Sequence, residues 1–287
     1  MTMPDRQAQV ALVTGCSSGI GRATALRLAQ EGHVVVATAR RVESLAELEA
    51  AGCETLTLDV TDESSRQAAV REVEARHGAV GVLVNNAGYS QSGALETLPL
   101  DLLRAQFETN VFGLLRLCQL VLPAMRARGR GVIVNVSSMG GRLSFPGGGA
   151  YHASKYAVEA LSDVLRFEVA GAGVDVVLIE PGLIRTGFAD AVAQGMPRAD
   201  DHYASFNAAV SDTTRRVYEH GLLARLAGSP EDVAAVIARA IAAKRPRTRY
   251  PVTPSARLLM GLRRTLPDRL WDRMVSGSYP QPGASDR

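Results

Sequence analysis

A doubly wound α/β fold, with a parallel sheet covered by helices on both faces, is what this sequence predicts. Two observations lead there. Short runs of β-branched and aliphatic residues recur along the chain, nearly continuous rather than alternating, as in strands buried on both faces. Between them stand helix-length segments, and strand–helix–strand units with right-handed crossovers assemble into a doubly wound sheet. At 287 residues and 46% hydrophobic content the chain can bury one large core, and no repeat, low-complexity stretch or composition shift marks a second domain.

The first strand, "VALVTG" (10–15), runs into "TGCSSGIG" (14–21) and a helix over 19–31 that Gly32 is placed to end. Glycines there let the backbone approach a pyrophosphate, and the helix amino end offers free N–H groups with a partial positive charge. The second strand (33–39) is followed by Arg40 and Arg41, with Ala39 where a carboxylate could have stood. The third (55–60) leads to Asp62, a helix-start residue, and a helix over 62–77. The fourth (80–88) closes on "NNAG" (85–88), and a helical stretch over 98–127 carries a break. The fifth (131–138) ends at Ser137 and Ser138, ahead of a helix over 151–170 that opens on Tyr151 and Lys155. Four apart, these two share one helix face, either as a solvated surface pair or as a phenol tuned by a cation. The sixth strand (174–182) enters "PGLIRT" (181–186).

From 183 to 228 the pattern loosens around Gly187, Gly195, Pro197, Gly221 and Gly228, the place for a substrate loop or lid. Residues 255–287 form a basic amphipathic extension in which Leu259, Leu262, Leu266, Leu270 and Met274 fall at helical spacing, interrupted near Pro267. Such a stripe packs on its own domain or a partner subunit, or lies on an anionic membrane.

The net charge is +3, yet residues 244–273 hold nine Lys/Arg against Asp268 and Asp272, a local +7. Basicity confined to one segment does not indicate a nucleic-acid binder. Cys16, Cys53 and Cys118 are scattered, which points neither to a disulfide framework nor to a metal site. No apolar run approaches the ~20 residues a membrane helix needs. "MTMPDRQAQ" carries no signal-peptide pattern, so a cytoplasmic protein is expected.

The glycine spacing T-G-x-x-x-G-x-G, "NNAG", Ser138, "YxxxK" (151–155) and "PGLIRT", in this order over roughly 8–250, resemble the short-chain dehydrogenase/reductase family. The start and the C-terminal extension look most like its 17β-hydroxysteroid-dehydrogenase-like group. The resemblance implies a Rossmann-type catalytic domain over 8–254 and hydride transfer between a nicotinamide and a carbonyl/alcohol pair. It also implies Tyr151 as general acid/base, Lys155 stabilising the phenolate together with an oxidised nicotinamide and holding the nicotinamide ribose, and Ser138, rather than Ser137, orienting the substrate oxygen. Asn110 would help hold a water linked to the lysine, or else only relieve a helix kink. Gly15, Ser17, Ser18, Gly19, Ile20 and Gly21 would cradle the pyrophosphate, Asp59 and Val60 would contact adenine unless Asp59 only caps a turn, and Asn86, Ala87 and Gly88 would border the cofactor. Pro181, Gly182, Ile184 and Thr186 would wall the nicotinamide. Arg40 would pair with a 2′-phosphate, which makes NADP(H) the expected cofactor over NAD(H).

Tyr89, Met139, Leu143 and Phe145 are apolar candidates for the pocket, and without a basic cluster beside Ser138 a lipophilic ketone or secondary alcohol is the expected substrate. Helices 108–127 and 151–170 would pair across a two-fold axis in a homodimer or homotetramer. A nucleotide-binding regulator or scaffold without turnover, and a dehydratase or epimerase on the same fold, are the alternatives.

Overall fold

The computed structural model describes residues 9–187, 192, 195–196 and 201–282. Seven strands form one sheet in the order β3-β2-β1-β4-β5-β6-β7, and every pairing is parallel. They are β1 (Val10–Val13), β2 (Val34–Ala39), β3 (Glu54–Thr57), β4 (Val82–Asn85), β5 (Gly131–Val136), β6 (Val174–Glu180) and β7 (Arg249–Pro251). Successive side chains of a strand point to opposite faces, so each apolar run feeds two cores. Val82 and Val84 meet the layer built by α1 (Gly19–Gln30) and the later helix Pro230–Ala242, through Ala25, Leu28, Val233 and Ile237. Leu83 faces the other layer, where Val70, Leu117, Val121, Met125 and Val158 come from α3 (Glu63–His77), α5 (Gly113–Arg128) and α6 (Gly149–Val169). The remaining helices of this half are α2 (Ala46–Ala50) and α4 (Leu100–Phe107).

Helix ends obey their caps. Asp62 accepts from Ser64 N at the start of α3, and Gly78 closes it at φ 81. The break expected within 98–127 is a π-helical turn, Glu108–Phe112, between α4 and α5, and it carries Asn110. β4 is shorter than its apolar run because Asn86–Gly88 leave the ladder at the strand's carboxyl end.

Three expectations are corrected. β7 is a seventh strand that the apolar pattern does not reveal. From 204 the expected loop is largely helical, with α7 (Ala204–Glu219) and α8 (Gly221–Arg225) ahead of α9 (Pro230–Ala242), which opens on a Ser229/Asp232 capping box. Residues 188–191, 193–194 and 197–200 of that stretch, Pro197 among them, lie outside the described residues, as do 283–287 of the extension. The extension folds as α10 (Pro254–Thr265) and α11 (Asp268–Ser276), and Pro267 between them resets the helical phase. Of the expected stripe Leu259 and Leu266 do turn inward, joined by Met260, Trp271 and Val275 and packed with Leu143, while Leu270 and Met274 stay exposed. Trp271 Nε1 donates to Ser144 O at 3.3 Å and its ring lies 5.7 Å from that of Phe145, which joins the extension to the turn after β5.

Candidate active site

Strand order reverses between β1 and β4, and α/β sheets bind ligands in the crevice that opens there at the carboxyl ends of the strands. A cavity of about 790 Å³ occupies it. On one side runs the loop 14–21. Gly15 sits at φ 71, and a Cβ on it would lie 2.9 Å from Ala87 Cα. A Cβ on Gly21 would lie 2.2 Å from Gly15 O, so only glycine lets helix and loop close up. Thr14, buried, ties the loop to β4: its Oγ1 accepts from Asn86 N and Ala87 N, both at 2.9 Å. Asn86 Nδ2 donates to Thr14 O at 2.9 Å and Gly15 O at 3.2 Å. Thr14 is the residue of this loop whose part the glycine spacing does not reveal.

Ser18 starts α1 without a side-chain cap, and the first turn holds no acidic residue. Its N–H groups and dipole are thus available to an anion, and Ser17, Ser18, Gly19 and Ile20 all line the cavity. A glycine cradle against an uncapped helix start fits the pyrophosphate of a dinucleotide. At the far end the lining is Ala39, Arg40, Asp59, Val60 and Thr61. Arg40 is exposed and forms no ion pair with a described residue. Asp59 Oδ1 accepts from Thr61 N at 2.9 Å and Thr61 Oγ1 at 2.7 Å, so one oxygen closes a turn beside the cavity. Asn86, Ala87, Gly88, Pro181, Gly182, Ile184 and Thr186 complete the wall.

The fifth strand and α6 bring the remaining side chains together. Ser138 leads the turn Met139–Gly141, where its Oγ accepts from Gly140 N at 3.0 Å. Tyr151, in the first turn of α6, is hydrogen-bonded to Ser138. Lys155 Nζ lies 5.8 Å from the centroid of the Tyr151 ring and donates to Val136 O at 2.9 Å. Asn110 is held on three sides: Oδ1 accepts from Tyr89 N at 3.1 Å, and Nδ2 donates to Tyr89 O and Ser154 Oγ at 3.0 Å each.

The electrostatics describe the pair without a cofactor. Burial pushes the Tyr151 phenol above its ordinary value, and the Ser138 hydrogen bond only partly opposes it. Burial also pulls the Lys155 ammonium down to about 8, with Glu159 acting the other way. In the protein by itself desolvation dominates at both groups, and the phenol is not lowered.

At the substrate end Tyr89, Met139 and Phe145 line the cavity, whereas Leu143 is fully buried among Leu259 and Trp271 and does not reach it. Val210, Thr214 and Tyr218 of α7 and Tyr279 after α11 also line it. Nothing local in the sequence points to these four, since each arrives by tertiary packing. His152 had a signal, its place inside the Tyr/Lys motif. Its Nε2 accepts from Phe145 N at 3.1 Å, so Nδ1 carries the proton and donates to Gly140 O at 3.0 Å. That ring staples the turn bearing Ser138, and the Phe145 wall, to α6.

Known proteins resemble this chain over most of its length. The chain is similar to the oxidoreductase YbbO of Escherichia coli, 38% identical over 267 residues that span 93% of each chain. A 3-ketodihydrosphingosine reductase of Bacteroides thetaiotaomicron is 35% identical over 268 residues, 92% of this chain and 95% of the other. An NADPH-dependent 3-dehydrocapnine reductase of Ornithobacterium rhinotracheale is 35% identical over 274 residues, with the same coverage. Among solved structures, a short-chain dehydrogenase from Streptomyces avermitilis is 38% identical at a TM-score of 0.78, covering 94% of this chain and 99% of its own. One from Burkholderia phymatum in complex with NAD is 28% identical at a TM-score of 0.78, covering 98% and 99%. The sequence profile of the short chain dehydrogenases matches residues 9–197. With that match, the parallel sheet and the crevice at its switch point, the chain belongs to the short-chain dehydrogenase/reductase family and is an oxidoreductase.

Proposed function

We propose that the protein reduces a lipophilic ketone, or oxidises the matching secondary alcohol, with NADP(H), and that Tyr151 is the proton donor and acceptor. One observation carries this reading: Tyr151, hydrogen-bonded to Ser138 and close to Lys155, stands where the glycine loop and the Pro181–Thr186 wall converge. When bound, the reduced nicotinamide supplies a hydride to the carbonyl carbon. Ser138 Oγ donates to the carbonyl oxygen and fixes it beside the phenol. Tyr151 releases its proton to that oxygen as negative charge develops there. The Lys155 ammonium holds the ribose and, with the positive charge of the oxidised ring, offsets the burial that otherwise disfavours the phenolate. Asn110 pins the π turn with its amide, leaving one lone pair of Oδ1 and the turn's backbone to hold a water linked to Lys155.

The lining supports the proposed substrate class. Among the described residues the charged groups on the cavity wall are Arg40, Asp59 and Lys155, all on the cofactor's side, so the far end suits an uncharged, apolar partner. Two relatives are named as reductases of a 3-keto or 3-dehydro compound, and one is named for NADPH. A panel of long-chain, steroid and aromatic ketones tests this: NADPH consumption with at least one is expected, and none with any would overturn the reading.

Residues 8–254 would be the catalytic domain, and 255–287 an extension that closes the substrate end. Exposed Phe112 (51%) in the π turn that leads into α5, and Val164 (57%) and Phe167 (85%) on α6, favour pairing of those helices in a homodimer or homotetramer. Light scattering at micromolar concentration should give two or four chains, and a monomer would contradict it. Leu258, Leu270 and Met274, exposed among arginines, form a face suited to contact with an anionic membrane. Among the described residues no helix is long and apolar enough to cross one. Three buried, unpaired cysteines suit a reducing cytoplasm.

A further inference from the structure

Behind Tyr151 and Lys155, away from the cavity, lies a second cluster of titratable groups. Glu159 is one turn beyond Lys155 on α6, on the same helix face, and Glu180 ends β6. Their side chains are 7% and 2% exposed. Both turn to one guanidinium, that of Arg249 on β7, whose Nε lies 3.0 Å from Glu159 Oε2 and 3.5 Å from Glu180 Oε1. The same guanidinium also serves Asp163, at 2.5 Å. Arg142, from the turn after β5, stands 3.9 Å from each buried carboxylate, beyond hydrogen-bonding distance. Among the described residues, Oε1 of Glu180 has no hydrogen-bond partner, and Oε1 of Glu159 has none at full hydrogen-bonding geometry, although the Ser137 hydroxyl stands beside that carboxylate.

Two buried carboxylates that divide one guanidinium with a third acid cannot both stay ionised cheaply, and a proton on one supplies the donor their bare oxygens lack. We propose that Glu159 and Glu180 hold one proton between them, resting on Glu180, and that the charge left on Glu159 keeps Lys155 in its ammonium form. Glu159 is then a positioning residue that acts through Lys155. The proton sits on Glu180 because Arg249 hydrogen-bonds Glu159 and only approaches Glu180. The charged groups facing the pair are Arg142, Arg249, Asp163 and Lys155, and their balance agrees. Burial raises both acids, Glu180 to about 7 helped by the charge of Glu159, while the Ser137 hydroxyl beside Glu159 and then the arginines pull the other way. Glu159 in turn is the influence that raises Lys155 against its burial. The pair's shared proton stands independently of the proposed function; its effect on Lys155 rests on the role given to that lysine.

The experiment follows wild type, Glu159→Gln and Glu180→Gln by two readouts. The first is Tm against pH. A carboxyl that titrates near 7 folded, against an ordinary 4.5, leaves the folded state with more protons in between, so stability is fullest below about pH 4.5 and falls as pH rises through about 7. Wild type should lose Tm across that window, and Glu180→Gln should flatten the slope. An unchanged slope would overturn the shared proton. The second is the NADPH dissociation constant against pH. Wild-type binding should weaken as Lys155 loses its proton, and Glu159→Gln should move that limb down by roughly one pH unit or more. Glu180→Gln should leave the limb in place. Equal shifts in both variants, or none, would overturn the action on Lys155. If Glu159→Gln does not fold, Glu159→Asp, with its carboxylate drawn back by one methylene, should move the same limb part of the way, and no movement would equally overturn that action. A wild type that does not bind NADPH at all would sink the functional reading and leave the shared proton to the Tm profile.

Discussion

Tyr151→Phe should lower kcat by ~10²–10⁴-fold, the range of a lost general acid, with Tm and the NADPH dissociation constant near those of wild type. The substitution keeps the ring, and with it the packing against His152, whose ring centroid lies 5.7 Å away. What disappears is the hydroxyl and its hydrogen bond with Ser138. One such bond contributes about 1 kcal/mol to folding, small beside the effect expected on the barrier. The loss should therefore fall on turnover. A variant that kept more than about half of the wild-type rate on a verified ketone would remove Tyr151 from the chemistry and leave Ser138 with nothing to position.

A second large effect is expected at the adenosine end. Arg40 lines the cavity beside Ala39 and forms no ion pair with a described residue, which suits the proposed pairing with a 2′-phosphate. Charge-assisted hydrogen bonds contribute roughly 1.5–3 kcal/mol, so Arg40→Ala should weaken NADPH by about 10-fold to 100-fold and leave NADH nearly unchanged. Ala39→Asp should go further, because a carboxylate there repels the phosphate and accepts from the ribose hydroxyls of NAD(H). Values of kcat/KM with both cofactors for wild type and the two variants decide it. Equal weakening of both cofactors by Arg40→Ala, or a wild-type preference for NADH, would make Arg40 an ordinary surface charge.

The parts of this molecule that can be read from sequence are those in which neighbours in the chain are also neighbours in space. Strands such as Val82–Asn85 announce themselves because the residues are buried on both faces, and α3 because Asp62 caps its start. The loop 14–21 and the Tyr151/Lys155 pair are likewise local. β7 stays hidden because an edge strand of three residues, Arg-Tyr-Pro, has no apolar run to show. The phase of the C-terminal stripe misleads because the kink at Pro267 turns Trp271 inward, where an unbroken helix would have turned Leu270 and Met274. Tyr218, Tyr279 and the Arg249–Glu159 contact join residues far apart in the chain, which no periodicity reports. The tuning of Tyr151 escapes the sequence for a related reason: spacing shows that Lys155 is near, while the depth of burial that dominates both groups belongs to the folded molecule.

The central claim is hydride transfer to a ketone carbon held beside Tyr151. It is tested most directly with NADPH deuterated at the hydride-carrying carbon of its nicotinamide, a ketone that the enzyme consumes, and mass spectrometry of the product. The account predicts a secondary alcohol with a single deuterium on the carbinol carbon, formed by wild type and scarcely at all by Tyr151→Phe. Tight binding of NADPH with no labelled alcohol from any ketone in the panel would contradict it and favour a nucleotide-binding protein without turnover.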